Sequence, residues 1–373
     1  MSVVHYLEQG IDARRIIGAP ALNKKHPITR AKPGVPSGYP VFLPTVVPPT
    51  PEQAAVLKEI EVGLFHHEKG DYWQAEKAYR RVIDRYHSPR AKALLGLLLE
   101  QKEGSEKTRE MMRAGSREDQ TDCLIASNWA YVCLTLGRVR EAAEAYSQAV
   151  EASPQWGNAY IGLGAAFCDL LRHREAVYAY ERAVACEPEA FSYWSDLLFA
   201  IDISDAHTFD DAMAARRRLN DTVIAPQLTT PRTYTNTLDP DRVLKIGYTS
   251  ADFYQHSGAM TWGGFFIKHN KKQVHVTAYC GTVKRDHMTA AFEKAADRWH
   301  EVGEWSDERL VEQIKKDEID ILVDLGGYSR GGRTLAFASR PAPIQMSGWG
   351  YATGMGLDCF DYFATDRVVV PLH

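Results

Sequence analysis

The sequence has no long apolar run. In 373 residues, no hydrophobic stretch reaches the ~18 residues that a membrane-spanning helix requires. The N-terminus also lacks the apolar core of a secretory signal, because charged side chains interrupt it at Glu8, Asp12, Arg14 and Arg15. We therefore predict a soluble, cytoplasmic protein.

Cysteine pairs and excess charge are also lacking. The six cysteines form no Cys-x-x-Cys pair and show no zinc spacing, which suits buried thiols in a reducing cytoplasm. A formal net charge of -4 gives no general attraction to nucleic acid or to an anionic membrane. Asp239-Pro-Asp241 contains a proline, so we interpret it as a linker turn. Asp252 and Asp324 are the acids that end strand-like runs, and no carboxylate cluster suits a metal ion. We predict no metal site.

Proline is concentrated near the N-terminus. Residues 1–51 form an extension that ends in a proline-rich stretch, with prolines at 33, 36, 40, 44, 48, 49 and 51. That density excludes a helix or a central strand and predicts an extended linker. A ligand for a proline-recognition domain is the alternative to a plain spacer.

A repeat of 34 residues follows the linker. The repeated positions are Ala142, Tyr146, Ala149 and Pro154, which recur as Ala176, Tyr180, Ala183 and Pro188. Ala130 corresponds to Gly164 in the same way, an earlier copy contains Gly63 and Tyr79, and a degenerate copy should fill about 90–122. This pattern resembles the tetratricopeptide repeat, a helix–turn–helix unit that stacks into a solenoid. We predict such repeats over 52–225, with a concave face that binds protein or peptide. A structural spacer or a dimerisation surface is the alternative.

The pattern changes after a proline-containing linker at 226–241. Within 242–373, apolar runs alternate with helical stretches such as Met288–Trp299 and Asp307–Lys316. The strand-like runs are 243–249, 274–280, 319–324, 343–347 and 361–365. Alternating strands and helices predict a parallel sheet with right-handed crossovers. The fold class is therefore an α-helical solenoid followed by an α/β Rossmann-like lobe.

Three polar or glycine-rich segments follow strands of this lobe, where ligands bind in open parallel sheets. The first contains Asp252 and His256, and a carboxylate beside an imidazole can act as a base or orient one. The alternative is that Asp252 caps the helix that begins near Gly258.

The second segment is Gly326-Gly-Tyr-Ser-Arg-Gly-Gly-Arg333. Its glycines allow close backbone approach to a ligand, and a following helix would direct its N–H groups at an anion. Arg333 would add a planar donor fork. A tight strand-to-helix turn is the alternative.

The third segment runs from Gly348 to Gly356 and includes Trp349, Tyr351, Thr353 and Gly354. It lacks the spacing of the dinucleotide fingerprint and of the nucleophile elbow. A backbone that approaches a phosphate or a sugar is the remaining interpretation of this segment.

Together these residues resemble the O-linked N-acetylglucosamine transferases over roughly 55–373. The resemblance lies in Gly247–His256, Gly327–Arg333, Gly350-Tyr351 and Asp361-Tyr362, and most specifically in Arg340-Pro-Ala-Pro-Ile-Gln345. It implies a two-lobed GT-B glycosyltransferase that transfers N-acetylglucosamine from UDP-N-acetylglucosamine to protein Ser or Thr hydroxyls. It implies inversion at the sugar carbon, no metal, and no cofactor beyond the donor substrate.

The resemblance also implies site residues. Asp252 and His256 match the family's Asp-Phe-x-x-His motif, in which each is a base or a positioning group, and cleft-lining positions correspond to Gly327, Tyr328, Trp349, Gly350 and Tyr351. His256-Ser257-Gly258 departs from the family's His-Pro-Thr. The family's second lobe, which holds most nucleotide contacts, lies outside these 373 residues.

Partners and rival functions follow from the same reading. We expect the repeats to bind the acceptor protein and to open toward the catalytic edge. The expected donor is a nucleotide sugar, and we expect no nucleic-acid or membrane partner. A bacterial source is expected because the repeat array is short, and a homodimer is left open. The rival functions are a repeat scaffold with a non-catalytic α/β lobe and a glucosyltransferase that acts on Asn.

Overall fold

The structure is a computed structural model that describes residues 51–102, 105–119, 122–229, 234–237, 239, 241–348, 351 and 354–365. The proline-rich linker predicted before residue 51 lies outside these ranges. The chain forms two compact units, which divide between Ala206 and His207. Among the described residues, no helix combines the length and apolar character needed to cross a bilayer.

The first unit consists of helices in the part of the chain that is described. They are α1 (Pro51–Glu68), α2 (Tyr72–Tyr86), α3 (Pro89–Lys102), α4 (Glu106–Glu118), α5 (Cys123–Thr135), α6 (Val139–Ala152), α7 (Gly157–Asp169), α8 (His173–Cys186) and α9 (Phe191–Ile203). Consecutive helices pack as pairs from α1/α2 to α7/α8. The predicted degenerate copy at about 90–122 is the pair α3/α4. The helical-repeat fold predicted from the sequence is confirmed.

Small residues let the tyrosines of the repeat pack directly on a neighbouring helix. Tyr79, Tyr146 and Tyr180 are fully buried. A Cβ added at Gly162 would lie 2.2 Å from the Tyr146 ring, and one added at Gly164 would lie 2.6 Å from the Tyr180 ring. The tyrosine ring occupies the space that a side chain at the glycine would fill, so each tyrosine packs closely only where its partner position is glycine.

The helix α10 (Phe209–Leu219) belongs to the second unit. It begins with a capping box, in which Thr208 and Asp211 bond each other's backbone N–H groups. A π turn (Asn220–Ile224) and a 3-10 turn (Ala225–Thr229) follow it. The sequence predicted that this helix ends the repeats at 225, whereas the structure places the division near residue 206. Contacts of α10 within the second unit, described below, explain the difference.

The second unit is built on one parallel sheet. Its strands are β1 (Leu244–Ser250), β2 (Val274–Cys280), β3 (Arg298–Glu301), β4 (Ile321–Asp324), β5 (Ile344–Gly348) and β6 (Tyr362–Ala364), in the order β3-β2-β1-β4-β5-β6. Every pairing is parallel, and Thr249 at the end of β1 lies opposite Asp324 at the end of β4. This is the strand order of a doubly wound nucleotide-binding sheet. The predicted Rossmann-like lobe is confirmed.

Helices connect the strands. They are α11 (Ser257–Ile267), α12 (His287–Ala295), α13 (Asp307–Asp317) and α14 (Thr334–Ala338). An aromatic core fills the space between α11, α12 and the sheet, with Phe253, Trp262, Phe266 and Phe292 buried at its centre. The predicted helix over Met288–Trp299 ends early at Ala295, and the chain then forms β3. The Phe253 ring fixes the loop after β1 to this core, because it contacts all three other rings.

Candidate active site

The sheet reverses its strand order between β1 and β4. From β1 the chain moves outward through β2 to β3, and from β4 it moves outward the other way through β5 to β6. Ligands bind open α/β sheets in the crevice beyond the carboxyl ends of the strands at such a switch point. A ligand site is therefore expected at the loops after β1 and β4.

Asp252 and His256 lie together in the loop after β1. The Oδ2 atom of Asp252 is 3.6 Å from Nδ1 of His256. Both side chains keep partial contact with solvent, with side-chain exposures of 18% for Asp252 and 30% for His256. Burial raises the pKa of Asp252, and the nearby His256 and Lys284 act against that rise. The predicted pairing of these two residues at the sheet edge is what the structure contains.

His256 also caps the helix that follows. Its Nδ1 atom accepts a hydrogen bond of 3.3 Å from the backbone N–H of Gly258, at the start of α11. The alternative prediction, that Asp252 is the cap, was wrong, because the imidazole holds that position. In this geometry a neutral His256 carries its proton on Nε2. For Nε2 to accept a proton, Nδ1 must be protonated and face Asp252 instead.

The loop after β2 supports the loop after β1. The Oδ2 atom of Asp286 accepts a 2.7 Å hydrogen bond from the backbone N–H of Gln255, and Asp286 also caps α12. The Nζ atom of Lys284 lies 5.0 Å from the ring centre of Tyr254, and that ring lies 5.4 Å from the His256 ring. The catalytic-looking pair is thus held by two neighbouring loops.

The glycine-rich loop after β4 does not offer its first amides to a ligand. The backbone N–H of Gly326 donates to Oδ1 of Asp324 at 3.1 Å, and that of Gly327 donates to Oδ2 at 2.9 Å. These two N–H groups donate to the protein's own carboxyl group instead of to a bound ligand. The structure therefore favours the tight-turn interpretation for the start of this loop.

Arg333 differs from its predicted role as well. Its guanidinium donates to Asp307 through Nε at 2.6 Å, and to the carbonyl oxygens of Val302 and Trp305 at 3.1 and 3.0 Å. The side chain is largely buried, with 13% exposed. The donors expected to bind an anion are therefore bonded within the protein, where Arg333 ties its loop to the start of α13. The helix that follows, α14, has only five residues.

Tyr328 and Tyr351 connect the glycine-rich loop to the segment after β5. Their rings meet edge to face with centres 5.0 Å apart, and the Tyr328 hydroxyl donates to the carbonyl oxygen of Met355. The fully buried Arg216 of α10 lies over the Tyr351 ring at 5.5 Å and donates through Nε to the Gly354 carbonyl at 3.2 Å. Tyr328 is itself buried, so its ring is part of the packing beneath this edge.

The other predicted residues of this segment lie outside the description. Trp349, Gly350 and Thr353 fall in the ranges that the structure does not describe. Among the described residues, no group of three or more His, Cys, Asp or Glu side chains could hold a metal ion.

The sequence of this unit matches a known family from end to end. The match to the profile of glycosyl transferase family 41 covers residues 206–373. The α/β unit matches the family 41 profile along its whole length. The first matched residue coincides with the division between the two compact units, so α10 lies within the family match and within the second unit. The resemblance predicted from the sequence is confirmed.

Plant proteins are among the similar sequences. A rice protein named probable UDP-N-acetylglucosamine–peptide N-acetylglucosaminyltransferase SPINDLY is 29% identical over 201 residues, which cover 52% of this chain and 21% of that protein. An Arabidopsis thaliana protein named probable UDP-N-acetylglucosamine–peptide N-acetylglucosaminyltransferase SEC is 34% identical over 131 residues, or 35% of this chain and 13% of that one. The chain therefore spans about a fifth or less of the length of these relatives.

A solved structure supports the fold. The O-GlcNAc transferase of Thermobaculum terrenum superposes with a TM-score of 0.58 and 23% identity, over 86% of this chain and 55% of that one. At this identity the similarity shows the fold alone.

Two important residues were not assigned a role from the sequence. The strand pattern identifies Asp324 as a strand-end acid, and its place directly before Leu-Gly-Gly is a further signal, since such an Asp is suited to accept the amides of a glycine turn. Arg216 falls within the repeats predicted over 52–225. No local pattern reveals its burial, because Tyr351 and the Gly354 carbonyl lie about 140 residues further along the chain.

Proposed function

We propose that this chain is part of a glycosyltransferase that transfers N-acetylglucosamine from UDP-N-acetylglucosamine to Ser or Thr hydroxyls of proteins. The observation that carries the proposal is the Asp252–His256 pair at the switch point of a sheet whose sequence matches glycosyl transferase family 41. The names of the relatives supply the donor and the peptide acceptor.

The proposed reaction inverts the sugar carbon. The acceptor oxygen attacks C1 from the face opposite the diphosphate, the new C1–O bond forms, and UDP leaves with the electrons of the broken bond. His256 accepts the hydroxyl proton at Nε2 when its Nδ1–H faces Asp252, or Asp252 accepts it directly and His256 positions the sugar. Such a base typically contributes 10²–10⁴-fold in rate. Stabilisation of the leaving diphosphate would be electrostatic and would need no metal and no cofactor.

The helical unit is the proposed site of acceptor binding. Stacked repeats build extended concave surfaces, so the helical unit is proposed to bind the acceptor protein. We propose a cytoplasmic, bacterial enzyme with no nucleic-acid or membrane partner; a homodimer stays an open prediction.

The test is transfer by the protein expressed from its complete reading frame. Incubation with UDP-N-acetylglucosamine and candidate acceptor proteins, followed by mass spectrometry of intact proteins and peptides, should find N-acetylhexosamine on Ser or Thr. A parallel reaction with UDP-glucose separates this activity from glucosyl transfer to Asn. Modification of Asn only, or peptide binding without any transfer, would contradict the proposal and favour the rival functions.

A further inference from the structure

Asp324 occupies the centre of the sheet at its ligand-binding edge. It is the last residue of β4, opposite Thr249 of β1 and Ser347 of β5. The residue is only 1% exposed. A buried carboxyl group at the switch point is costly to maintain, so its contacts should have a purpose.

Those contacts fold the next eight residues back on themselves. With Gly326 and Gly327 bonded to Asp324, Gly327 adopts a positive φ of 56°, and Ser329 donates its N–H to the Gly326 carbonyl at 3.1 Å. A Cβ added at Gly332 would lie 2.5 Å from the Gly327 carbonyl oxygen. The carboxyl group is therefore the anchor of a closed, compact turn.

The far end of this turn contacts the loop after β1. Gly331 has a φ of 81°, and a Cβ added there would lie 2.6 Å from the Cβ of Ala251. Ala251 directly precedes Asp252, whose N–H donates to Oγ of Ser250 at 2.9 Å. Any movement of the turn toward β1 must therefore displace the residue next to Asp252.

We propose that Asp324 is a positioning residue, which holds the Gly326–Gly332 turn against Ala251 and thereby sets the geometry of the Asp252–His256 pair. This inference deepens the proposed transferase function and rests on it for its effect on turnover. The positioning itself is a property of the fold and can be tested without any activity.

The surroundings of Asp324 make this positioning depend on pH. No ion pair to Asp324 occurs in the part of the chain that the structure describes. Burial raises its pKa to about 7, against the two glycine amides and Thr249, which favour the charged form. The Cys359 thiol also faces it, but burial, together with the charge of Asp324, raises that thiol's pKa to about 12, so it stays neutral. The ionised carboxylate accepts both amides, whereas the protonated group holds them less firmly.

The first test observes the carboxyl group and its consequence directly. In the unmodified protein, infrared difference spectra should show a protonated carboxyl band that disappears near neutral pH. The band should be missing in Asp324→Asn and retained in Asp317→Asn, a control that removes another buried carboxylate. The imidazole NMR signals of His256 should shift in Asp324→Asn and not in the control. Unchanged His256 signals in Asp324→Asn would overturn the proposal.

The second test uses turnover of the complete protein. Asp324→Asn should lower kcat at least ~10-fold with a small change in KM for the donor, because displaced reacting groups cost rate. The dependence of kcat on pH near neutrality should also flatten. A fall in thermal midpoint with normal kcat would overturn the positioning role. If the unmodified protein transfers no sugar, the proposed function fails. The spectroscopic test still decides whether Asp324 positions the Asp252–His256 pair.

A third variant tests the same contact if Asp324→Asn fails to fold. Gly331→Ala separates the two loops without touching Asp324, so kcat should fall while the infrared band remains. The second substitution Ala251→Gly removes the colliding Cβ and should restore part of the lost turnover. Absence of any rescue in the double variant, with both proteins folded, would show that contact with Ala251 is not the route.

Discussion

At the sheet edge, His256 combines a structural role as a helix cap with its proposed chemical role. His256 caps α11 and lies beside Asp252, so its Nδ1 atom either accepts from Gly258 or, when protonated, faces Asp252. A simple alanine substitution therefore changes stability and chemistry together, and a better variant must separate them.

His256→Ala should lower kcat by ~10²-fold or more if the ring accepts the proton. It should also cost about 1 kcal/mol of stability, because a side-chain cap is lost. His256→Asn is the matched control, since an Asn oxygen can cap the helix but cannot act as a base. We expect Asn to restore the thermal midpoint and not the turnover. Normal kcat in His256→Asn would remove the ring from the chemistry.

Asp252→Asn should produce a defect in kcat similar to that of His256→Asn if the two residues act as a unit. The double variant should then be far from additive in the activation free energy. The measurement is a double-mutant cycle on kcat and KM at one pH. Additive losses would indicate that the two side chains act independently, despite the 3.6 Å between them.

The elements differ in how far the sequence could predict them. The strands β1, β2 and β4 can be predicted because they are apolar runs, and the helical repeats can be predicted from their fixed period. In contrast, β3 has the sequence Arg-Trp-His-Glu, with Arg298 and Glu301 exposed at the sheet's edge. Such an edge strand has no alternating apolar pattern, so only its pairing with β2 reveals it. The contacts of Arg333 and Asp324 were equally invisible, because they are set by tertiary neighbours.

The packing of the repeat predicts one clear substitution effect. Gly162→Ala should destabilise the helical unit by about 1–3 kcal/mol, since its Cβ would collide with the buried Tyr146 ring. Gly264→Ala on α11 is the control, because nothing lies within 4 Å of its added Cβ. That change should be neutral or slightly stabilising. Urea unfolding of both variants checks the prediction, and equal midpoints would contradict it.

For the molecule as a whole, stability should depend on pH in two opposing ways. The raised pKa of Asp324 means that the folded state binds its proton more tightly than the unfolded chain. Stability from this group is therefore full at about pH 4 and falls as pH rises toward about 7, by on the order of 4 kcal/mol. Burial acts the same way on Asp320, but hydrogen bonds from Arg242, Lys245 and Asn236 outweigh it and lower that pKa. The stability from Asp320 is lost only as pH falls below about 4.

We therefore expect the urea midpoint of the α/β unit to rise from pH 8 to about pH 5. Asp324→Asn should remove most of that rise, and Asp320→Asn should leave it in place. An identical slope in Asp324→Asn and the unmodified protein would show that another group titrates.

The proposed chemistry also predicts independence from metal ions for the whole protein. Turnover should survive EDTA and should gain nothing from added Mn²⁺ or Mg²⁺, because no metal is needed to balance the leaving diphosphate in this proposal. The assay is initial rate with and without chelator. Activity that vanishes with EDTA and returns with either ion would refute it.

The buried guanidinium of Arg216 has a consequence for how such proteins are recombined. A gene fusion that exchanges the helical array must keep α10 with the sheet, since a junction at residue 226 or 241 would leave Tyr351 and the Gly354 carbonyl without this partner. A junction beside His207 keeps that contact intact and falls where the family match begins. The natural seam for shuffling repeat arrays onto this lobe therefore lies before α10.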